Sequence, residues 1–329
     1  MNLEQLRGFA EIAEIGHFTR AAERLHLAQP SLSRQISSLE SEFGLELFHR
    51  VRGGVRLTTA GERLLPYARR MLADADAARD EMASLAGLKR GRIRLGATPT
   101  LCTSLVVEVL AEFRERYPEI EIEILERGSR SLITALVEGS LDLALIVTSV
   151  SSGAARAVLE LESVLSERLV AVSAADRPDP FAGPGSAGRG PGSRHRGPVT
   201  LEQLSGVPIV QFPESYDLRS ALDSAFRTEG VQPLIAVEGA EMDAALRFAE
   251  RGVGVAVVPA MVAADRPDLR AAPLASEALA RTISVARRAD MAPSPASAAM
   301  QALIRDIADR LAAQSGSLGR YVTRMPSGG

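Results

Sequence analysis

Residues 18–44, FTRAAERLHLAQPSLSRQISSLESEFG, followed by residues 45–58, LELFHRVRGGVRLT, decide how this chain is read. The spacing predicts a helix, a tight turn, a second helix opening at Pro30 and then an arginine-bearing hairpin. In the second helix Leu32, Ile36, Leu39 and Phe43 step by four, three and four residues, which places them on one stripe. The opposite face carries Gln29, Ser31, Ser33, Arg34 and Ser37. Pro30 suits a helix start because no backbone donor is needed there, and Gly44 marks a stop. Small polar side chains at such a start can reach base edges or phosphates. Gln can pair with two edge atoms of adenine, Ser can serve either partner, and Arg can clamp guanine or phosphate. A capped surface helix with a solvated Ser-rich face would show the same pattern, so the neighbours of this helix carry the argument.

Upstream, Leu3, Leu6, Phe9, Ile12 and Ala13 form another helical stripe that Gly16 ends. Ala21, Ala22 and Leu25 supply small residues for a close helix crossing. Three short helices around one core are expected. Downstream, Val51-Arg52-Gly53-Gly54-Val55 reads as strand, glycine turn and strand, with Arg50, Arg52 and Arg56 around it. A basic hairpin beside a helix-turn-helix is a wing able to grip the adjacent backbone or minor groove.

Residues 1–61 resemble the winged helix-turn-helix of the LysR-type transcriptional regulators. The matching string is Leu3, Phe9, Ala21, Ala22, Leu25, Gln29, Pro30, Ser33, Ile36, Leu39, Glu40, Gly44, Leu47, Phe48, Arg50, Leu57, Thr58, Ala60 and Gly61, in register without gaps. The resemblance implies that Gln29, Pro30, Ser31, Ser33 and Arg34 occupy recognition-helix positions and that Arg50 occupies a backbone-contacting wing position. The family's wing carries a second arginine where this chain has Gly53, with Arg52 next to it.

The chain has 329 residues, 46% of them hydrophobic, and a formal net charge of −3. That is long enough for a small domain and a larger one, and it argues against a chain-wide basic surface. Nucleic-acid contact must then come from a local cluster, which Arg20, Arg24, Arg34, Arg50, Arg52 and Arg56 provide. The N-terminus lacks a signal-peptide pattern, and charges interrupt every apolar run before it could span a bilayer, so a cytoplasmic protein without a membrane partner is expected. Cys102 is the single cysteine, which excludes an intrachain disulfide and a cysteine-based metal cluster. The scattered histidines form no ligand motif, and no metal or cofactor is implied. Cys102 is read as an ordinary buried or pocket-lining thiol, with redox sensing as the alternative.

Residues 59–88 form one long helical pattern with an interruption risk at Pro66. Leu64, Ala68, Met71, Ala75, Ala78, Met82 and Leu85 alternate steps of four and three, the heptad seam of a coiled coil. This predicts a dimerisation helix (residues 62–91 with its glycine hinge at 87–91), against the alternative of a helix packed on its own protein. A twofold dimer would present two recognition helices to a dyad-symmetric double-stranded promoter site.

From residue 92 strands alternate with helices, the signature of a doubly wound α/β sheet. Strands are expected at 93–96, 120–125, 141–147, near 165–172, and at 208–212, 235–237, 253–258 and 282–287. Helices are expected at 101–116, 129–138, about 218–229, 242–251 and 297–313. Two such lobes over residues 92–314 resemble the periplasmic-binding-protein-like effector domain of the LysR-type regulators. Gly252 and Gly254 follow a helix and open a strand, the reverse of a dinucleotide loop, so they are read as helix termination and tight strand entry.

Ligands of such sheets sit at the carboxyl ends of strands, between lobes. That locates Thr98, Pro99, Thr100 and Thr103 after the first strand, Gly128 and Ser129 before the second helix, and the stretch from Gln211 and Phe212 to Arg219 in the second lobe. Val147, ending a strand, and Met242, opening a helix, complete the candidate effector residues. Hydroxyls and helix-end amides suit a small anion, commonly a carboxylate, although Ser and Thr also occur at helix starts simply as caps. Residues 176–198, rich in Gly, Pro and Arg, are expected to be a mobile insertion, and residues 315–329 a disordered tail.

Two functions are compatible with this pattern. One is a transcription factor in which a metabolite resets the angle between DNA-binding arms and alters recruitment of RNA polymerase; the homotetramer and promoter response are implied by the resemblance. The other is a two-lobe ligand-sensing or enzymatic domain joined to a protein-interaction module. The second needs a catalytic constellation, and the sequence offers no nucleophile elbow, metal-ligand cluster or phosphate loop.

Overall fold

The computed structural model describes residues 1–85, 91–148, 158–182, 197–264, 266–276, 279–313 and 321–325. The chain begins with α1 (Leu3–Ile15), α2 (Phe18–Arg24) and α3 (Gln29–Phe43), then a hairpin of β1 (Phe48–Val51) and β2 (Gly54–Leu57). Asn2 and Gln5 form a reciprocal capping box at the start of α1, and Gly16 ends it in the left-handed region at φ 73°. Leu6, Phe9, Ile12, Ala21, Ala22, Leu32, Ile36, Leu39, Leu47 and Phe48 close into one core. Both helical stripes therefore meet as their spacing predicts, except that Phe43 at the end of the second is 39% exposed. Helix α3 opens one residue earlier than expected, at Gln29 behind Ala28, because Pro30 is equally tolerated in the second helical position.

Helix α4 (Thr59–Leu85) runs without a break through Pro66. Its seam is divided. Ala68 is buried, and Leu64, Leu65, Met71 and Leu72 pack with it against the N-terminal core. Farther along, Met82 is 59% exposed. The first half of the predicted seam thus serves its own domain. The hinge at 87–91 lies outside the described residues except for Gly91.

The remaining chain builds two lobes. In order come β3 (Gly91–Ala97), α5 (Pro99–Leu101), a π-helical turn at Cys102–Val106, α6 (Val107–Arg116), β4 (Ile120–Glu126), α7 (Ser129–Val137), β5 (Leu143–Val147) and β6 (Leu159–Ala174). The second lobe adds α8 (Leu201–Ser205), β7 (Pro208–Gln211), α9 (Asp217–Glu229), β8 (Leu234–Glu238), α10 (Met242–Glu250), β9 (Val255–Pro259), α11 (Ala260–Ala263) and β10 (Leu269–Pro273). The chain then returns through β11 (Ala280–Arg288), α12 (Pro295–Ala313) and β12 (Val322–Arg324). Strand order is β4-β3-β5-β11-β6-β9-β7-β8, with β10 and β12 also on β6.

The long strand β6 joins the lobes. Its Val164 and Leu165 belong to the first lobe's core, and its Leu169, Val170, Ala171 and Val172 to the second lobe's core. Glu167 falls between them, opposite Arg281 of β11.

Several expectations need correction. The helix expected over 101–116 runs unbroken to Arg116 but takes a π-helical turn at Cys102–Val106, a feature often found at functional sites. The strand expected from Val253 begins at Val255, because Gly252 closes the preceding helix in the left-handed region at φ 71° and Gly254 passes close to the Pro208 carbonyl. The tail expected to be disordered from 315 contains β12, which pairs with β6 and buries Val322. Part of the insertion expected to be mobile is built in as well: Phe181 is buried, and the Arg177 carbonyl accepts a hydrogen bond from Arg270 at 2.8 Å. Backbone pairing and a single large apolar side chain anchor segments whose average composition is poor in apolar residues. Residues 183–196, 314–320 and 326–329 lie outside the described residues.

Helix α4 also touches the first lobe. Arg69 bonds Glu138 at 2.8 Å, Arg288 bonds Asp74 at 3.1 Å, and Asp76 receives Arg7 of α1 at 3.2 Å and Arg92 of β3 at 3.5 Å. Gly139, at φ 73°, lies so close that a Cβ would sit 3.1 Å from the Arg70 Cα.

Candidate DNA interface and effector cleft

At the start of α3, Gln29, Pro30 and Arg34 are exposed, and Ser31 and Ser33 are half-buried. Gln29 Nε2 donates to Ser33 Oγ at 2.8 Å, which holds the amide along the helix face. Ala28 offers no side-chain cap, so the positive end of the helix is available to an external acceptor. In the wing, Arg52-Gly53 forms the turn and Gly53 adopts φ 89°. His49 pairs with Arg56 and Arg50 with Val55 across the two strands. Phe48, Val55 and Leu57 face the core, and Arg50, Arg52 and Arg56 remain exposed.

Charge pairing separates the arginines of this domain. Arg24 is held by Glu11 at 2.9 Å and Glu14 at 3.3 Å. Among the described residues, Arg20, Arg34, Arg50, Arg52 and Arg56 have no carboxylate partner. Exposed guanidinium groups without an internal counter-ion are what phosphate neutralisation requires.

The predicted effector residues separate into two groups. Thr98 and Thr100, both buried, place their hydroxyls 3.4 Å apart at the end of β3. Arg281 Nη1 donates to Thr100 Oγ1 at 2.6 Å, and Arg281 Nε donates to Glu167 Oε2 at 2.9 Å. Glu167 Oε1 accepts the backbone N–H of Met261 at 2.6 Å, at the start of α11 in the second lobe. A chain of polar contacts thus crosses the floor between the lobes. Pro99, half-buried, opens α5. The exposed Thr103 bonds back to its own helix and borders an open hollow of about 390 Å³ with Met261, Arg266 and Asp243. Gly128 faces the Ser215 carbonyl of the other lobe at 3.6 Å from the position of a Cβ.

The other candidates are engaged internally. Ser129 is fully buried and its hydroxyl accepts the Val147 N–H at 3.1 Å. Gln211 donates to Asp223 at 2.8 Å. Phe212 and Met242 are buried in the second lobe's core, Phe212 stacking on Tyr216 with centroids 5.4 Å apart. Tyr216 donates its hydroxyl to Glu241 at 2.6 Å. Burial, then Glu241 and more weakly Glu126, hold this phenol well above the usual tyrosine range.

Sequence reading missed Glu167, Arg281, Glu126 and Glu241, whereas Tyr216 falls within the expected stretch from Gln211 to Arg219. Two of them carried a signal: Glu167 and Arg281 are charged residues inside otherwise apolar strands, where a charge is costly unless paired.

Burial pushes the Cys102 thiol up to about 11, with the charge of the nearby Glu126 and a hydrogen bond to it adding to the effect. A raised value keeps the sulfur protonated at every pH below it, so Cys102 is expected to react with Ellman's reagent at pH 7.5 roughly a hundredfold more slowly than a free cysteine. Reaction at the free-cysteine rate in the folded protein, compared with the same chain in guanidinium, would refute this.

Among the described residues, no helix is long and apolar enough to cross a membrane, and no group of three or more His, Cys, Asp or Glu could hold a metal ion.

Comparison with known proteins agrees with this architecture. The family model of the bacterial regulatory helix-turn-helix protein, lysR family, matches residues 3–62, and that of the LysR substrate binding domain matches residues 86–309. The HTH-type transcriptional regulator IlvR of Caulobacter vibrioides is 30% identical over 311 residues, covering 93% of this chain and 97% of its own. Full-length BenM is similar at 27% identity and a TM-score of 0.56, covering 96% of this chain and 100% of its own. A full-length OxyR variant from Pseudomonas aeruginosa shares the fold, with a TM-score of 0.70, 24% identity and 99% coverage of both chains. The chain belongs to the LysR family: it is a DNA-binding transcriptional regulator with an effector-binding domain.

Proposed function

We propose that this regulator reads double-stranded promoter DNA with Gln29, Pro30, Ser31, Ser33 and Arg34 at the start of α3. Arg20, Arg50, Arg52 and Arg56 secure the flanking phosphates, and a small carboxylate metabolite bound between the lobes sets the response. The observation that carries the DNA assignment is the set of exposed arginines without internal counter-ions beside an uncapped helix start. Met82 of α4, turned outward, supports a homodimer through that helix, and two dimers would make the homotetramer. Such a dimer presents two recognition helices to a dyad-symmetric site. Contact with RNA polymerase at the promoter and a cytoplasmic location complete the reading. A two-lobe ligand-sensing or enzymatic domain joined to a protein-interaction module is not favoured.

The test is binding of purified protein to the DNA upstream of its own gene and its neighbour, against random DNA, over a salt titration. Arg34→Ala is expected to cost about 1–3 kcal/mol on the specific site and to relax preference at one base position. Arg50→Ala is expected to weaken specific and random DNA alike and to reduce the salt slope by about 1 per protomer. Equal loss by both variants on all DNA would remove the base-reading role of Arg34, and no loss by either would remove the interface.

A further inference from the structure

The wing is fastened to its domain at points beyond its own two strands. Glu40, in the last turn of α3, directs the chain out of the recognition helix. Its carbonyl accepts the N–H groups of Gly44 and Leu45, and its carboxylate Oε1 accepts the N–H of Leu47 at 2.8 Å. Leu47 is 2% exposed and stands one residue before β1. At the other end of the hairpin, Thr58 donates its N–H to the Leu47 carbonyl at 3.0 Å. The Thr58 hydroxyl donates to the Glu46 carbonyl at 2.7 Å and accepts the Gly61 N–H, in the first turn of α4, at 3.0 Å. A relay of hydrogen bonds therefore runs from α3 through both ends of the wing into α4.

Two glycines show how closely these parts meet. A Cβ at Gly61 would lie 2.3 Å from the Leu47 carbonyl oxygen, and one at Gly54 would lie 2.3 Å from that of Gly16, which accepts the Val55 N–H at 2.8 Å. The hairpin is thus anchored on α3, on α4 and on the corner between α1 and α2. A lone two-stranded hairpin is marginal in water, so these anchors set the direction in which this one projects. A guanidinium neutralises a phosphate only when it is held at contact distance, and holding it there in advance removes an ordering cost from binding.

We propose that Glu40 and Thr58 are positioning residues for DNA binding, fixing the wing to the recognition helix and to α4 so that Arg50, Arg52 and Arg56 meet phosphates at a set distance from the bases that α3 reads. This rests on the reading of the wing as a phosphate grip and adds the residues that aim it. The two act through the hairpin and not by contact with DNA. The wing, α3 and the start of α4 move as one body.

The test uses the full chain, the DNA upstream of its own gene and a random-sequence duplex, each over a salt titration. Wild type is compared with Glu40→Ala, Glu40→Gln, Thr58→Val, Thr58→Ser and Arg50→Ala, below each unfolding midpoint. Glu40→Ala and Thr58→Val are expected to bind both DNAs about tenfold to a hundredfold more weakly and to lose about 1–3 from the salt slope per protomer. The ratio between the two DNAs should stay that of wild type. Glu40→Gln keeps an acceptor for Leu47 and Thr58→Ser keeps the hydroxyl, so both should stay close to wild type. A wild-type slope in Glu40→Ala and Thr58→Val overturns the proposal, as does failure of the Gln and Ser variants alongside them. Hydrogen exchange on wild type needs no variant: residues 45–58 should exchange as slowly as α3, and exchange at the rate of an open loop would mean a free hairpin and overturn it. Arg50→Ala separates the premises. An unchanged slope there removes the phosphate grip and the proposal with it, whereas a reduced slope there beside a wild-type slope in Glu40→Ala removes the positioning alone.

Discussion

Phe9→Ala is expected to destabilise the winged domain by about 3–5 kcal/mol and to abolish DNA binding at 37 °C. Phe9 is fully buried, with its ring 5.4 Å from that of Phe48. It joins α1 to the strand that leads into the wing, and Leu32, Ile36 and Leu39 of α3 belong to the same cluster. Truncation leaves a cavity at the junction of every element that orients the recognition helix. A domain this small has only a few kcal/mol of net stability, so the loss is comparable with the whole. The larger regulatory domain has separate cores and should keep its own transition. Differential scanning calorimetry checks this: a low-temperature transition is lost or lowered while the regulatory transition persists. A single unchanged transition with normal DNA affinity would mean that the core tolerates the cavity.

The same separation of cores explains what the sequence revealed. Helix stripes such as Leu32-Ile36-Leu39 are local, and their period alone carries the fold of the N-terminal domain. The two-lobe sheet was legible for a similar reason, because β5 is a continuous buried run and Gly252 ends α10 by a local backbone requirement. Non-local pairing was not legible. Val322–Arg324 is short and polar at one end, and only its register against Leu165, Ser166 and Glu167 makes it a strand.

The candidate site divides along the same line. Gln29 to Arg34 could be read because exposure follows from the helix stripe. Which arginines keep free charge could not, since Arg24 is neutralised by glutamates 10 and 13 positions away. In the cleft, strand-end logic places Thr98, Thr100 and Ser129 among the effector candidates, and only the fold shows that the Ser129 hydroxyl accepts the Val147 N–H. Arg281 was missed because its partner Glu167 is 114 residues distant.

That distant pair gives the second large effect. Arg281→Met alone is expected to cost about 3–5 kcal/mol, since it strands Glu167, which is fully buried, beside a single N–H donor from Met261. In a regulatory domain of this size the midpoint should fall by roughly 6–20 °C. Adding Glu167→Met should recover most of the loss, because two apolar side chains fill the space without leaving a charge behind. The order of the three proteins is therefore diagnostic: wild type and double variant close together, single variant well below. If the single and double variants were equally destabilised, packing volume and not charge would be what Arg281 supplies, and the pair would be an ordinary part of the core. If the expected order holds, charge compensation between β6 and β11, and not side-chain volume, is what Arg281 supplies.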